Sequence, residues 1–412
     1  MHLITPFKAL RPAAGRAAEI IAPPYDVLSS SEARERAAGK PWSFLHISKP
    51  EIDLPADTDS YSPVVYAKAA ENMQKMLDAG VIVRDEQACY YVYRIIMGSH
   101  VQTGIVAAAS VIEYDTNRIK RHEFTRPDKE DDRVRQIEAL SAQTGPVFLA
   151  YPEAPAIDAV LAATIAGTPD ADATADDGIR HTLWVIRDAA TIEQITRNFD
   201  ALPALYIADG HHRSAAASRV AAARRSANPH HTGEESYNYF LSVIFPAHAL
   251  KILDYNRVVC DLNGLSKDEL IARIATAYQV TPANAPVKPA SYGEVGMYLA
   301  GQWYQLNIKP ELIPADPVER LDVSLLTTHV LNPILGIADL RRDKRIDFVG
   351  GIRGLPELEK RVNSGEMAVA FAMYATTMND LMSVADAGQV MPPKSTWFEP
   401  KLADGMASHG ID

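Results

Sequence analysis

The stretch Ala204-Leu205-Tyr206-Ile207-Ala208-Asp209-Gly210-His211-His212-Arg213-Ser214-Ala215-Ala216-Ala217-Ser218-Arg219-Val220 decides how this chain folds. Residues 204–208 are a short apolar run of strand type. Asp209-Gly210 is a turn signal, because glycine adopts backbone angles closed to other residues and lets a ligand or a neighbouring chain approach closely. From His212 to Arg225 the chain is dominated by alanine, the strongest helix former. A strand, a tight bend and a helix are therefore expected in succession.

A helix that begins at such a bend presents N–H groups without intrahelical partners and a partial positive charge. An anion, phosphate above all, is favoured there. His211, His212 and Arg213 add donors or cations, and arginine can grip phosphate with two hydrogen bonds. Asp209 carries the opposite charge. Beside a phosphate an acid is costly unless it holds a metal ion or accepts a proton from a substrate hydroxyl. In a plainer alternative, Asp209 only caps the helix and the histidines face solvent. Four functional side chains crowded into one turn favour the site.

Working outward, apolar spacing predicts helices over 64–79, 192–198, 266–278, 322–331 and 355–364. Residues 89–97 and 101–112, joined by Gly98-Ser99-His100, read as a β-hairpin. Further strands are expected at 147–151, 181–186, 240–245 and 367–374. The segment 168–178, rich in Asp, Ala, Thr, Pro and Gly, reads as a surface loop. The expected fold class is α/β or α+β with a mixed sheet. Its strand–turn–helix unit should sit at the carboxyl end of a strand, and at least one more subdomain is expected. Borders near 150 and 262 divide the chain into 1–150, an N-terminal α+β region; 151–262, with the turn; and 263–412, a C-terminal subdomain with a returning arm.

The 412 residues are 47% hydrophobic and 23% charged, which suits a globular protein of more than one core. A net charge of -11 argues against coating nucleic acid, which needs a basic face to displace counterions. Two cysteines, Cys89 and Cys260, make neither a disulfide framework nor a zinc ribbon. No leader is apparent at Met1-His2-Leu3-Ile4-Thr5-Pro6-Phe7-Lys8 and no apolar run reaches membrane-spanning length, so the expected location is cytoplasmic. The P-loop, the dinucleotide fingerprint, the Gly-x-Ser-x-Gly elbow and the His-Glu-x-x-His helix are all missing from the sequence.

Four more clusters are candidates. Arg121-His122-Glu123-Phe124-Thr125-Arg126-Pro127-Asp128-Lys129-Glu130-Asp131-Asp132-Arg133 is either a solvated face or a source of phosphate ligands, with Glu123 as metal ligand or base. Met391-Pro392-Pro393-Lys394-Ser395-Thr396-Trp397-Phe398-Glu399-Pro400-Lys401 is either a phosphate clamp between rigid prolines or a packed C-terminal arm. Ala22-Pro23-Pro24-Tyr25-Asp26-Val27 reads first as a structural turn, and Asp254-Tyr255-Asn256-Arg257-Val258 as a polar interruption that could edge the same pocket.

Taken in order, Pro6-Phe7-Lys8-Ala9-Leu10-Arg11-Pro12, Ala22-Pro23-Pro24-Tyr25-Asp26-Val27, His122-Glu123-Phe124-Thr125, Lys129-Glu130-Asp131-Asp132-Arg133, Ile207-Ala208-Asp209-Gly210-His211-His212-Arg213, Tyr255-Asn256-Arg257 and Met391-Pro392-Pro393-Lys394-Ser395-Thr396 resemble a bacterial and archaeal family catalogued as domain of unknown function 1015. The Asp-Gly-His-His-Arg turn is also similar to the phosphate-binding box of the ParB/sulfiredoxin-like superfamily, which includes nucleotide binders and free serine kinases. That likeness implies an acid in the box, here Asp209, and a glutamate elsewhere, taken as Glu123, that together activate a substrate hydroxyl. The chain is much longer than such a kinase, which leaves the substrate open.

The expected activity is a magnesium-dependent phosphotransferase, using ATP or ADP, that acts on a small hydroxylated metabolite in the manner of a serine kinase. Asp209, His212 and Glu123 are the expected catalytic groups, with Asp209 and Glu123 as the Mg²⁺ ligands. Gly210, His211, Arg213, His122, Arg126, Lys129, Arg133, Asn256, Arg257, Lys394, Ser395 and Thr396 are the expected phosphate and nucleotide contacts. The alternatives are a nucleotide-binding regulator without turnover and a metal-dependent small-molecule phosphoesterase. Nucleotide and small-molecule substrate are the expected partners, a homodimer stays open, and neither nucleic acid nor membrane is expected.

Overall fold

A computed structural model describes residues 2–411. The chain forms two compact units. The first runs through Leu250 and takes up the chain again from Pro400, while the second is Lys251–Glu399.

The first unit is built on a mixed sheet of nine strands. In chain order these are β1 (Ile4–Thr5), β2 (Tyr90–Met97), β3 (His100–Ser110), β4 (Ile119–Lys120), β5 (Val147–Tyr151), β6 (Ala171–Thr174), β7 (Arg180–Ile186), β8 (Leu205–Asp209) and β9 (Tyr239–Pro246). They lie side by side as β4-β8-β5-β9-β3-β2-β7-β6, with β1 added to β3. The pairs β8/β4 and β9/β5 are parallel and the others antiparallel. This is the mixed α+β arrangement expected from the sequence. The expected hairpin is β2–β3, with Gly98 at φ 59 in its turn and His100 already inside the ladder opposite Met97. Residue 150 lies within β5, in the middle of this sheet.

Its helices are α1 (Pro63–Asp78), α2 (Pro127–Leu140), α3 (Pro155–Ile165), α4 (Ala189–Asp200) and α5 (His211–Ala227). On α5 the buried residues include Ser214, Ala216, Ala217, Val220 and Ala221. Such small side chains let the helix backbone come close to the sheet. Ala216, Ala217, Val220 and Ala221 join Val147, Leu149, Ile207, Phe240 and Ile244 in one apolar core. Burying each large aliphatic or aromatic member contributes about 1.5–3 kcal/mol. On its outer side α5 reaches α2 through Arg219 to Asp131 at 2.7 Å and Arg224 to Glu138 at 2.9 Å. Exposed pairs of this kind are worth about 1 kcal/mol or less each, so the apolar contacts decide the packing.

A four-stranded ribbon joins Ile82–Arg84, Ala9–Pro12, Ser408–Gly410 and Ala142–Gln143 in that order. It ties residues near the end of the chain back to the first unit. Ala22 and Asp404 exchange backbone hydrogen bonds at 3.1 and 2.9 Å beside it.

The second unit carries an antiparallel sheet of six strands. They are β10 (Tyr255–Val259), β11 (Tyr278–Ala283), β12 (Glu294–Leu299), β13 (Gln302–Ile308), β14 (Ile346–Gly350) and β15 (Val369–Met373), ordered β11-β13-β12-β15-β10-β14. The helix expected over 322–331 divides into Asp322–Leu326 and a wider π-type turn, Thr327–Leu331.

One sequence expectation is corrected. Within 168–178, read as loop, Ala171–Thr174 is an edge strand on β7. Ala171 and Ala173 turn inward and Asp172 and Thr174 outward. That two-residue alternation is the strand signature, and the turn-forming composition around it masked it. Cys89 and Cys260 are both free thiols. Among the described residues, no helix is long and apolar enough to cross a membrane.

Candidate functional site

Asp209 ends β8, Gly210 makes the bend, and α5 begins at His211. Gly210 sits at φ 98, and a Cβ there would lie 3.2 Å from the Val147 Cα, so both the angle and the space call for glycine. The pairing of β8 with β5 shifts register between Ile207 and Asp209. Such irregularities re-aim a side chain at a sheet rim.

The helix cap is Gly210, which has no side chain to offer. The Asp209 carboxylate instead accepts from the Gly210 N–H at 2.8 Å and from Lys401 Nζ at 3.1 Å. Asp209 is therefore not a conventional cap, and the plainer alternative fails on this point. Burial works to raise Asp209, but Lys401 and Arg213 outweigh it and hold the carboxyl well below the usual carboxylate range. Its side chain stays 34% exposed, so the charge can meet a ligand.

Parallel pairing of β4 with β8, Leu205 beside Ile119 and Tyr206 beside Lys120, sends both strands out of the sheet at the same end. The residues following β4 therefore emerge next to Asp209. His122 is 1% exposed and His211 4% exposed, so His211 does not face solvent as the capping alternative required. Their rings meet edge to face with centroids 4.6 Å apart. Burial first, and the neighbouring imidazole second, drive His211 well below the ordinary histidine value. Burial likewise brings His122 down to about 4, against the opposing pull of the Ile207 backbone and Asp209. Both rings are neutral near pH 7. Glu123 is 53% exposed, with its carboxylate 3.8 Å from His211 Nδ1.

The other expected contacts fall into three groups. His212 Nε2 accepts from the Arg126 N–H at 3.1 Å, and burial lowers its basicity. The Arg126 guanidinium pairs with Asp128, and Lys129 donates to the Tyr61 hydroxyl at 2.8 Å. Arg213 turns inward. It donates to Pro146 O at 2.8 Å and to Asp26 at 3.0 Å, leaving only Nε without a partner.

Arg213 and Arg133 flank Tyr25, at 5.5 and 3.8 Å from its ring. With Asp404 they form the polar end of a cavity of about 30 Å³, whose apolar wall includes Val147 and Phe240. Gly145 leaves room there, since a Cβ would stand 3.4 Å from Arg213 Nε and 3.7 Å from Asp404 Oδ1.

The third group lies in the second unit. Arg257 is fully buried and donates to Tyr255 O and, at 3.0 Å, to Lys394 O, and burial brings its guanidinium down to about 9. Asn256 accepts from the Met373 N–H, and Ser395 donates to Pro392 O at 2.7 Å. These bonds serve the second unit's own loops and strands. Lys394 is exposed, at φ 59, and Thr396 is half-buried.

The structure adds two groups to the first unit's site. Lys401, quoted above only within the C-terminal segment, reaches Asp209. Asp404, from a stretch without any motif, is buried beside Arg213. Burial raises the Asp404 carboxyl to about 7, with Arg213 and Arg133 pulling the other way.

Asp404 sets a pH dependence. Between the ordinary carboxylate value and about 7 the folded chain keeps a proton that the unfolded chain releases. Stability therefore falls as pH rises through that window and levels off above it. Asp404→Asn should raise the melting temperature modestly near pH 5, where the window has only begun, and by clearly more near pH 8. At about 1.4 kcal/mol per pKa unit, the gain has an upper limit of about 4 kcal/mol. Thermal melts at the two pH values check this, and an equal effect at both counts against it.

The profile of the family described as protein of unknown function (DUF1015) matches residues 4–324. The chain belongs to that family. No curated protein matches it. Among solved structures, a free serine kinase in complex with AMP is similar at 13% identity, covering 72% of this chain and 86% of that one with a TM-score of 0.34. A conserved hypothetical protein from Pyrococcus furiosus shares 15% identity over 76% of this chain and 97% of its own, TM-score 0.35. SbnI with a C-terminal truncation, from Staphylococcus aureus, shares 8% over 73% and 85%, TM-score 0.36. Likenesses at these scores carry no argument about the chemistry of this DUF1015 member.

Proposed function

We propose that this DUF1015 protein is a phosphotransferase that moves a phosphoryl group between ATP or ADP and a small hydroxylated metabolite, with free serine the first candidate. The observation that carries the reading is the Asp209–Lys401 pair at the head of α5. A carboxylate and an ammonium side by side at a helix N-terminus suit a reaction that places a hydroxyl against a phosphate.

Phosphoryl transfer is mostly positioning and charge neutralisation. The first N–H groups of α5 and Lys401 would bind phosphate oxygens. Asp209 would accept a hydrogen bond from the substrate hydroxyl and orient it. As the new O–P bond forms and the bridging P–O bond of the nucleotide breaks, the hydroxyl proton passes to Asp209 and the shortened nucleotide leaves. So acidic a carboxyl is a weak base, which fits a loose transition state in which that proton leaves late. Asp209 and Glu123 are the carboxylates that would hold Mg²⁺, which usually takes one or two of them plus phosphate oxygens and neutralises the transferred group.

Incubating the purified chain with Mg²⁺, ATP or ADP and a panel of hydroxy amino acids tests this, with products read by phosphorus NMR. A new phosphomonoester on an acceptor is expected. Release of inorganic phosphate regardless of acceptor would make the protein a phosphoesterase. Tight nucleotide binding with no product would make it a regulator. Either result overturns the proposal.

A further inference from the structure

The cluster at the carboxyl ends of β4 and β8 has a feature that phosphoryl transfer leaves unused. Apart from a weak approach to the Ile207 backbone, neither ring nitrogen of His122 has a partner at hydrogen-bond geometry, and His211 Nε2 has none. Both rings are almost wholly buried. A buried polar atom left unpaired costs about 1–3 kcal/mol. Three such atoms on two touching rings are an expense that folding alone does not explain. The Glu123 carboxylate stands at 3.8 Å from His211 Nδ1, too far for a hydrogen bond. One donor atom from each of His122, Glu123 and His211 lies within 4.8 Å of the other two.

We infer that His122, His211 and Glu123 form a binding site for a divalent transition-metal ion. Two imidazoles and a carboxylate are the donor set of zinc, manganese, iron or cobalt sites, whereas magnesium, a hard ion, prefers oxygen ligands throughout. A tetrahedral ion with bonds of about 2.0–2.1 Å spaces its ligand atoms about 3.3 Å apart. The cluster therefore needs only a modest contraction. Glu123, exposed on its loop, is the member that would move inward, while the two rings are held by packing. Three protein ligands leave at least one position open for water or a phosphate oxygen. The ion would add its charge to that of the α5 N-terminus on the same side of the bend. With Glu123 committed to it, Mg²⁺ would be left to Asp209 and the nucleotide's phosphate oxygens in place of the Asp209–Glu123 pair. The inference rests on the phosphotransferase reading and deepens it by adding a second, transition-metal ion beside the Mg²⁺ of the same site. Its test uses metal alone, so its failure and the failure of that reading are distinguishable.

The full-length chain is stripped with chelator and titrated with Co²⁺, without nucleotide. The expected result is one Co²⁺ per chain, with the visible absorption of a four- or five-coordinate nitrogen–oxygen site that Zn²⁺ displaces and Mg²⁺ does not. His122→Ala and His211→Ala should weaken binding by more than about 100-fold, the upper end seen for outer-shell partners alone. Glu123→Gln should weaken it less, and circular dichroism confirms that each variant is folded. Wild-type protein that takes up no stoichiometric Co²⁺ overturns the inference without any variant. So does binding that folded His122→Ala and His211→Ala variants share with wild type, or that Mg²⁺ abolishes as readily as Zn²⁺.

Discussion

Asp209→Asn is expected to cut phosphoryl transfer by about 10²- to 10⁴-fold, the usual span for losing a group that handles a substrate proton. The fold should survive. Asparagine keeps an oxygen for the Gly210 N–H and loses only the charge opposite Lys401, a pair that is partly exposed. Nucleotide affinity should hold or rise, because the change removes a negative charge from beside the phosphates and frees an ammonium to face them. Turnover and nucleotide binding should therefore move apart, turnover falling while the dissociation constant stays level or drops. A purely structural role for Asp209 would lower both or neither. Turnover assays and calorimetry on the same preparation make the distinction, and turnover equal to wild type would remove Asp209 from the mechanism.

Gly210→Ala should produce the largest loss of stability at the site. At φ 98 an alanine is strained, for about 1–3 kcal/mol. Its Cβ would also press on the Val147 backbone at 3.2 Å, inside the central sheet, where relief requires β5 to move. Overpacking of that kind costs about 1–3 kcal/mol more. Together these predict a loss of about 2–6 kcal/mol, or roughly 5–15 °C in melting temperature. Gly178 is the control. It has φ 81 but nothing within 4 Å of the added Cβ, so Gly178→Ala should cost the backbone term alone. Equal losses in the two variants would show that contact with Val147 does not matter.

Much of the fold could be read from local pattern. Val147–Tyr151 is the strand expected at 147–151, and α1 and the β2–β3 hairpin lie within a residue or two of their expected limits. What escaped was structure with weak local signal. The edge strand Ala171–Thr174 takes its identity from β7, and the charged run before Arg135 became the start of α2 by packing on α5. The site divides in the same way. Asp209 and Gly210 are legible because a strand end, a glycine and an alanine-rich helix are neighbours in sequence. Arg213 looked like a phosphate grip from its place in that string, yet Pro146 O and Asp26 draw it inward.

By itself the sequence determined the bend: an apolar strand, a glycine free to take a positive φ and a strong helix former, all within a few residues, leave little choice of local structure. Only the tertiary structure decided what surrounds that bend. The parallel pairing of β4 with β8 sets His122 and Glu123 beside His211, and the return of the chain after Pro400 carries Lys401 to Asp209. Those partners lie scores of residues apart, and periodicity speaks only for neighbours. Strand pairing and burial, which act on the whole chain at once, bring them together.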